Sequence, residues 1–223
     1  MNTFFLRLLR LFFGLFLYAV GIILTMKGNI GYAPWEVFHA GLAKVLGMQI
    51  GTVSILVGLA ICGIVLLSGE KLGLGTLCNM VFVGLFMNLL LGLDFIPKQD
   101  TFLLGALQMI AGLFVISFAT YHYISSGFGA GPRDSLMVVL TRKTKLSVGV
   151  CRSGMEILVV TIGAFLGGLV GLGTLLAAVA IGFCIQLTFK VLHFDPTKVV
   201  HETFFDTFRN LSKVKVIQQP PLS

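Results

Sequence analysis

Long apolar runs alternate along the chain with short segments carrying glycine, proline or charge, and the pattern predicts six membrane helices. The first run covers residues 4–26 and has no charge after Arg10. The others lie at 51–68, 75–93, 102–124, 149–166 and 173–192. Each is close to the roughly 20 residues that cross a hydrocarbon core of about 30 Å. Arginines precede the first run, as they would in a signal peptide. It lacks a small-residue cleavage site, however, and a copy of it recurs mid-chain, so it reads as a retained helix. The linkers Gly69 to Gly75, Gly92 to Asp100 and Gly167 to Gly173 are Gly-rich or carry proline.

The pattern repeats. Shifted by 98 residues, the chain aligns with itself without a gap: Gly14 falls on Gly112, Gly31 on Gly129, Pro34 on Pro132, Leu42 on Leu140 and Gly51 on Gly149. Gly69, Gly73, Gly75, Thr76 and Gly84 then fall on Gly167, Gly171, Gly173, Thr174 and Gly182. Shared glycines are expected in a Gly-rich chain, but a run of them in one register with a matching proline marks a duplication. The organisation is a first repeat at 1–97, a second at 98–195, and a tail at 196–223. In the tail, Val200, Phe204, Phe208 and Leu211 recur at helical spacing, which predicts an amphipathic helix on the cytoplasmic face.

Each repeat reads as a long helix, a broken segment, a short helix and two further helices. The breaks are residues 27–36 (KGNIGYAPWE) and 125–134 (SSGFGAGPRD). Proline suits the first turn of a helix, where its missing amide would be unpaired anyway, so short helices should start near Pro34 and Pro132. Their apolar parts run about 10–13 residues, or about 15–20 Å, too short to span. Read as re-entrant half-helices, they leave three spans per repeat, and an odd number inverts the second repeat in the membrane. The rival count lets the short helices cross, giving eight spans and a parallel repeat; it sorts the charges about as well, and helix length favours six.

Composition fixes the class. Residues are 57% hydrophobic and 11% charged, with 27 glycines and 20 phenylalanines, against about 25% charged in a soluble domain. The fold class is an all-α polytopic membrane protein whose partner is the lipid bilayer. The net charge of +7 points to no nucleic acid, because the basic residues sit at span ends and in the tail. There they act as topology signals that place both termini on the cytoplasmic side. Cys62, Cys78, Cys151 and Cys184 lie in apolar runs without metal or disulfide spacing, so neither a metal nor another cofactor is expected. There is no P-loop, no H-E-x-x-H and no Ser/His/Asp set, and no enzyme is expected.

The remaining polar residues are the candidates. Irregular backbone at membrane depth persists where protein buries it or it lines a wet cavity, and paired breaks point to a substrate site. Glu36 and Asp134 follow the prolines by two residues. They either neutralise the helix dipoles or meet a substrate or ion, with Arg133 beside them. Arg152 and Glu156, one turn apart on the fifth span, are costly charges in a membrane. A structural ion pair, a substrate or proton-coupling site, and a headgroup contact all fit. Asn88 and Gln186 hold matched positions and suit interhelical hydrogen bonds or a cavity wall. Trp35 fits an interfacial anchor or a recognition ring. His39 and His122 read as ordinary buried and interfacial histidines.

The segment Gly127-x-Gly129-x-Gly131-Pro132-x-Asp134, its weaker copy Gly31-x-x-Pro34-x-Glu36 and the duplicated spans resemble the YczE/YyaS/YitT-type family of bacterial integral membrane proteins, over residues 5–195. The first copy departs from the motif, with Glu36 for Asp and Tyr32-Ala33 in the glycine stretch. The resemblance implies a transport-like or membrane-accessory role and no particular substrate. The expectation is a small transporter or exporter of a modest-sized metabolite. Its site would lie between the repeats, formed by Trp35, Glu36, Arg133, Asp134, Arg152, Glu156, Asn88 and Gln186. A homodimer or a membrane partner protein would suit so small a bundle. The alternatives are a non-transporting accessory protein acting on a partner complex, and a substrate-binding subunit of a larger transporter.

Overall fold

A computed structural model describes residues 3–207 and 209. Among these the chain is helical, without a strand. The first repeat forms α1 (Thr3–Lys27), α2 (Pro34–Leu46), α3 (Ile50–Leu67) and α4 (Leu74–Leu93). The second forms α5 (Phe102–Ser125), α6 (Pro132–Thr144), α7 (Val148–Phe165) and α8 (Leu172–Val191). Six of these, all but α2 and α6, are long and apolar enough to cross a membrane. At 13 residues each, α2 and α6 reach about 20 Å. Proline opens both, Glu36 and Asp134 stand in their first turns, and both end on a left-handed residue, Gly47 and Lys145. The outer faces of the long helices carry exposed Leu, Phe and Val, with Leu67 and Phe165 almost fully exposed. Such a surface suits acyl chains. The chain is a multi-pass membrane protein.

The centre of the bundle is the seam between α1 and α5, which correspond under the shift and run antiparallel. Gly28 lies against Gly105, Gly21 against Gly112, and Gly14 against the backbone of Ala119 and Tyr123. Each step of seven residues forward in α1 is matched by seven back in α5. A Cβ on Gly21 would meet the Gly112 carbonyl oxygen at 2.9 Å, and one on Gly112 would meet the Gly21 oxygen at 2.8 Å. Small residues let membrane helices approach this closely, which hydrophobic attraction alone cannot drive in lipid. Leu11, Leu15, Ile23, Met109 and Leu113 seal the core around the seam.

Each broken segment is held by the other repeat. The Gly173 amide at the start of α8 donates to the Ile30 carbonyl at 2.8 Å, and the Gly75 amide at the start of α4 donates to the Phe128 carbonyl at 2.7 Å. Gly31 (φ 122°) and Gly129 (φ 113°) turn the chain at these points with dihedrals that strain any side chain. The half-helices exchange in the same way, α2 packing on α7 and α6 on α3. The repeats therefore interlock.

The two ends of the bundle differ. At one, Lys27 pairs with Asp94 and the Gln99 amide donates to the Lys27 carbonyl at 2.9 Å. At the other, Arg7 donates to the Ser126 carbonyl at 2.8 Å and to Glu202 at 2.7 Å. There the Glu202 and Phe204 amides donate to the Gly127 and Leu72 carbonyls. The start of the tail is thus stitched to the bundle. Hydrogen bonds from Thr203 to the Asp206 carboxylate hold that acid below the usual carboxylate range. Of the predicted tail helix, 204–207 is helical, while Phe208 and Leu211 lie outside the described residues.

Candidate functional site

All eight helices contribute to one cavity of about 190 Å³. Its wall follows the duplication. Every lining residue except Ile61, Leu113, Tyr123 and Ile124 has its 98-residue counterpart in the wall as well. Tyr18 of α1 answers Ile116 of α5, Pro34 to Glu36 answer Pro132 to Asp134, and Val83 of α4 answers Ile181 of α8. The cavity therefore draws on matched positions of both halves of the chain and lies between the starts of α2 and α6.

The chemistry on the wall is unequal at matched positions. Under the 98-residue shift Ser54 corresponds to Arg152, Gly58 to Glu156, Asn79 to Ala177 and His39 to Met137. Glu36, only 5% exposed, accepts from the Arg133 guanidinium at 3.3 Å. That guanidinium lies 4.6 Å from the centroid of the Trp35 ring, within cation–π range. Trp35 and Arg133 are themselves counterparts, so the two breaks meet across the axis. On α7, Arg152 donates to Glu156 at 3.2 Å. Asp134 makes no ion pair among the described residues, and its side chain is open to the cavity.

Two further groups were not legible as site residues. His39 is 2% exposed and its Nδ1 has no hydrogen-bond partner among the described residues. Tyr123, 4% exposed, leaves its hydroxyl in the same condition. Both line the cavity. A buried polar atom without a partner is costly, and two of them turned to one chamber mark it as a place where polar ligand atoms gain. Tyr18 and Asn79 join them from α1 and α4. Nothing in the sequence pattern singles these residues out, because their meeting depends on the α1–α5 seam and the turn within α4.

Of the sequence-derived residues, Trp35, Glu36, Arg133, Asp134, Arg152 and Glu156 come together in this wall. Asn88 and Gln186 do not line it. Asn88 accepts from the Gly51 amide at 2.9 Å and donates to the Thr52 hydroxyl at 2.9 Å, tying α4 to α3. Gln186 is exposed on α8. Among the described residues no group of three or more His, Cys, Asp or Glu side chains is arranged to hold a metal.

The repeats also differ in packing. In the first, a Cβ on Gly51 of α3 would collide with the Gly84 carbonyl and with Asn88, and one on Gly84 would collide with the Gly51 carbonyl. The counterparts Gly149 of α7 and Gly182 of α8 have nothing within 4 Å. Within α4, Asn79–Val83 is a π-helical turn that feeds directly into Gly84, whereas the matching stretch of α8 is ordinary α-helix.

A bundle of six spans enclosing a charged chamber between paired helix breaks defines a polytopic helical membrane protein with an internal polar site. The chain belongs to a family of unknown function (DUF6198), which its residues 5–190 match. It is 35% identical over 180 residues to the uncharacterized membrane protein YczE of Bacillus subtilis, covering 79% of this chain and 82% of that one. An uncharacterized protein of Haemophilus influenzae is 33% identical over 182 residues, with 82% and 83% covered. The uncharacterized protein YyaS of Bacillus subtilis is 25% identical over 185 residues, with 80% and 90% covered. No solved structure matches.

Proposed function

We propose that the chain is a small transporter of a modest-sized metabolite, built from two inverted repeats in a bacterial cytoplasmic membrane, with both termini cytoplasmic and no enzymatic activity of its own. The observation that carries this reading is the cavity wall, drawn from matched positions of both repeats and lying between the half-helix starts. Transporters place their sites at a repeat interface, next to discontinuous helices, and expose them alternately by moving one repeat on the other. The antiparallel α1–α5 seam supports the inversion. Arg7, Arg10, Arg142, Lys143 and Lys145 lie toward one end of the bundle, which supports its assignment to the cytoplasm.

Asp134 and Glu156 serve as polar contacts for the solute, while Glu36 holds Arg133 in place over Trp35. The test is flux in proteoliposomes against pools of labelled amino acids, amines, sugars and organic acids. Uptake of at least one pool is expected, with Asp134→Asn and Glu156→Gln each lowering it at least tenfold. Unchanged uptake in both variants removes the site.

The stitched start of the tail, from Glu202 to Phe204 on Arg7, Gly127 and Leu72, favours a second reading: an accessory protein that presents its tail to a cytoplasmic partner. Deleting residues 196–223 separates the two. Flux that survives the deletion supports the transporter, and loss of a cellular phenotype without loss of flux supports the accessory role.

A further inference from the structure

We infer that α7 and α8 form a second gate, standing open in this conformation, which closes when Gly149 packs onto Gly182 as Gly51 packs onto Gly84. The inference deepens the transporter reading and rests on it for its purpose, though not for its geometry.

The closed pattern is present once in the molecule. Gly51 and Gly84 bring the backbones of α3 and α4 together, and Asn88 fastens them through the Gly51 amide and the Thr52 hydroxyl. The same two glycines recur in α7 and α8, with the longer amide Gln186 at the position of Asn88. In this conformation a Cβ on either glycine would meet nothing within 4 Å, Gln186 is exposed, and α7 stands away from α8 while α3 packs along α4. Glycine on a membrane helix weakens it unless another backbone comes close. The matched pair keeps the two positions that make backbone contact in α3 and α4, and the gate gives it the same contact.

The placement fits a gate. Gly51 begins α3, toward the end that bears Lys27 and Asp94. Gly149 begins α7, toward the end that bears Arg7 and Glu202. The glycine contact is thus made toward one end of the bundle, and its equivalent is missing toward the other. Exchanging the two patterns moves the opening across the membrane, with Arg152 and Glu156 on the helix that travels. The π-turn in α4 belongs to the closed pattern, since it delivers Gly84 to α3; closure gives α8 a matching turn before Gly182.

The experiment needs no known solute. In full-length protein with Cys62, Cys78, Cys151 and Cys184 replaced by alanine, one variant carries Val150→Cys with Gln186→Cys, the counterparts of Thr52 and Asn88, whose side chains bond across the closed pair. A second carries the same two cysteines with Gly182→Leu, which blocks the glycine contact. Both are oxidised in native membranes with copper phenanthroline. Crosslinking of most molecules in the first variant and of few in the second, with single cysteines as controls, is the expected result. If the first stays uncrosslinked while each single cysteine still reacts with maleimide, or if both crosslink equally, the gate is overturned. The two readings fail separately: crosslinking without any solute flux keeps the gate and removes the transporter, and flux without crosslinking does the reverse. Retention of a monodisperse, thermally cooperative protein checks that the variants fold.

Discussion

The two repeats use the same glycines to different ends. Gly51 and Gly84 hold α3 and α4 in backbone contact, while Gly149 and Gly182 hold nothing. The α1–α5 seam, by contrast, is made equally from both sides: Gly21 meets Gly112 as closely as Gly112 meets Gly21. Equivalence at the seam with inequivalence at the rim means that the two halves of the chain share glycine positions and differ in packing. The charges follow the same division. Arg152 and Glu156 occupy the helix that stands free, and Ser54 and Gly58 occupy the helix that is closed. Taking an ion pair out of water is costly, and the Arg152–Glu156 pair keeps its arginine side chain 49% exposed.

The largest expected effect breaks this comparison directly. Gly84→Leu forces a side chain into the Gly51 carbonyl and Ile55, and overpacking of this kind costs about 1–3 kcal/mol. Gly182→Leu enters open space. Thermal unfolding in detergent should fall by several degrees for the first and stay within a degree for the second. Equal losses would show that α7 and α8 are already in contact.

A smaller effect separates the amides. Asn88→Leu removes two hydrogen bonds between α3 and α4, each about 0.6 kcal/mol within a membrane bundle. Its Gly51 amide is then left without an acceptor. Gln186→Leu removes no bond to a described residue. A loss of about 1 kcal/mol in the first variant and none in the second, read from denaturant titration, sharpens the view that only the first repeat is fastened.

The spans and the starts of both short helices were legible because each has a local cause: a run of apolar residues, or a proline before a carboxylate. Five cavity residues, Glu36, Arg133, Asp134, Arg152 and Glu156, stood out because charge within an apolar run needs a reason. His39 and Tyr123 were not, since an aromatic or histidine in such a run is ordinarily core, and only the antiparallel seam turns these two to one chamber. Asn88 and Gln186 illustrate a different limit. They hold matched positions with similar chemistry, and one is bonded while the other is exposed. Identical glycines beside them do not encode which pair of helices packs closely, because that depends on how the helices are placed.

The smallest effect tests the equivalence of the half-helices. Both α2 and α6 end on a left-handed residue that donates to the carbonyl four positions back, Gly47 to Ala43 and Lys145 to Thr141. The dihedrals agree, with φ 64° for Gly47 and φ 59° for Lys145. Glycine adopts this conformation freely, whereas a residue with a Cβ is strained there by roughly 1–2 kcal/mol, so the second copy carries a cost that the first avoids. Lys145→Gly should stabilise the protein by about 0.5–1 kcal/mol, the gain being trimmed by the greater freedom of glycine in the unfolded chain. Gly47→Lys should destabilise it by a similar amount. Nothing lies within 4 Å of Gly47, so its loss reports backbone strain alone. For a chain of this size the shifts amount to about 1–4 °C in opposite directions, measured on the two variants in one detergent. Opposite signs establish that the duplicated caps share one geometry; a loss in both would mean that Lys145 holds its place through its charge.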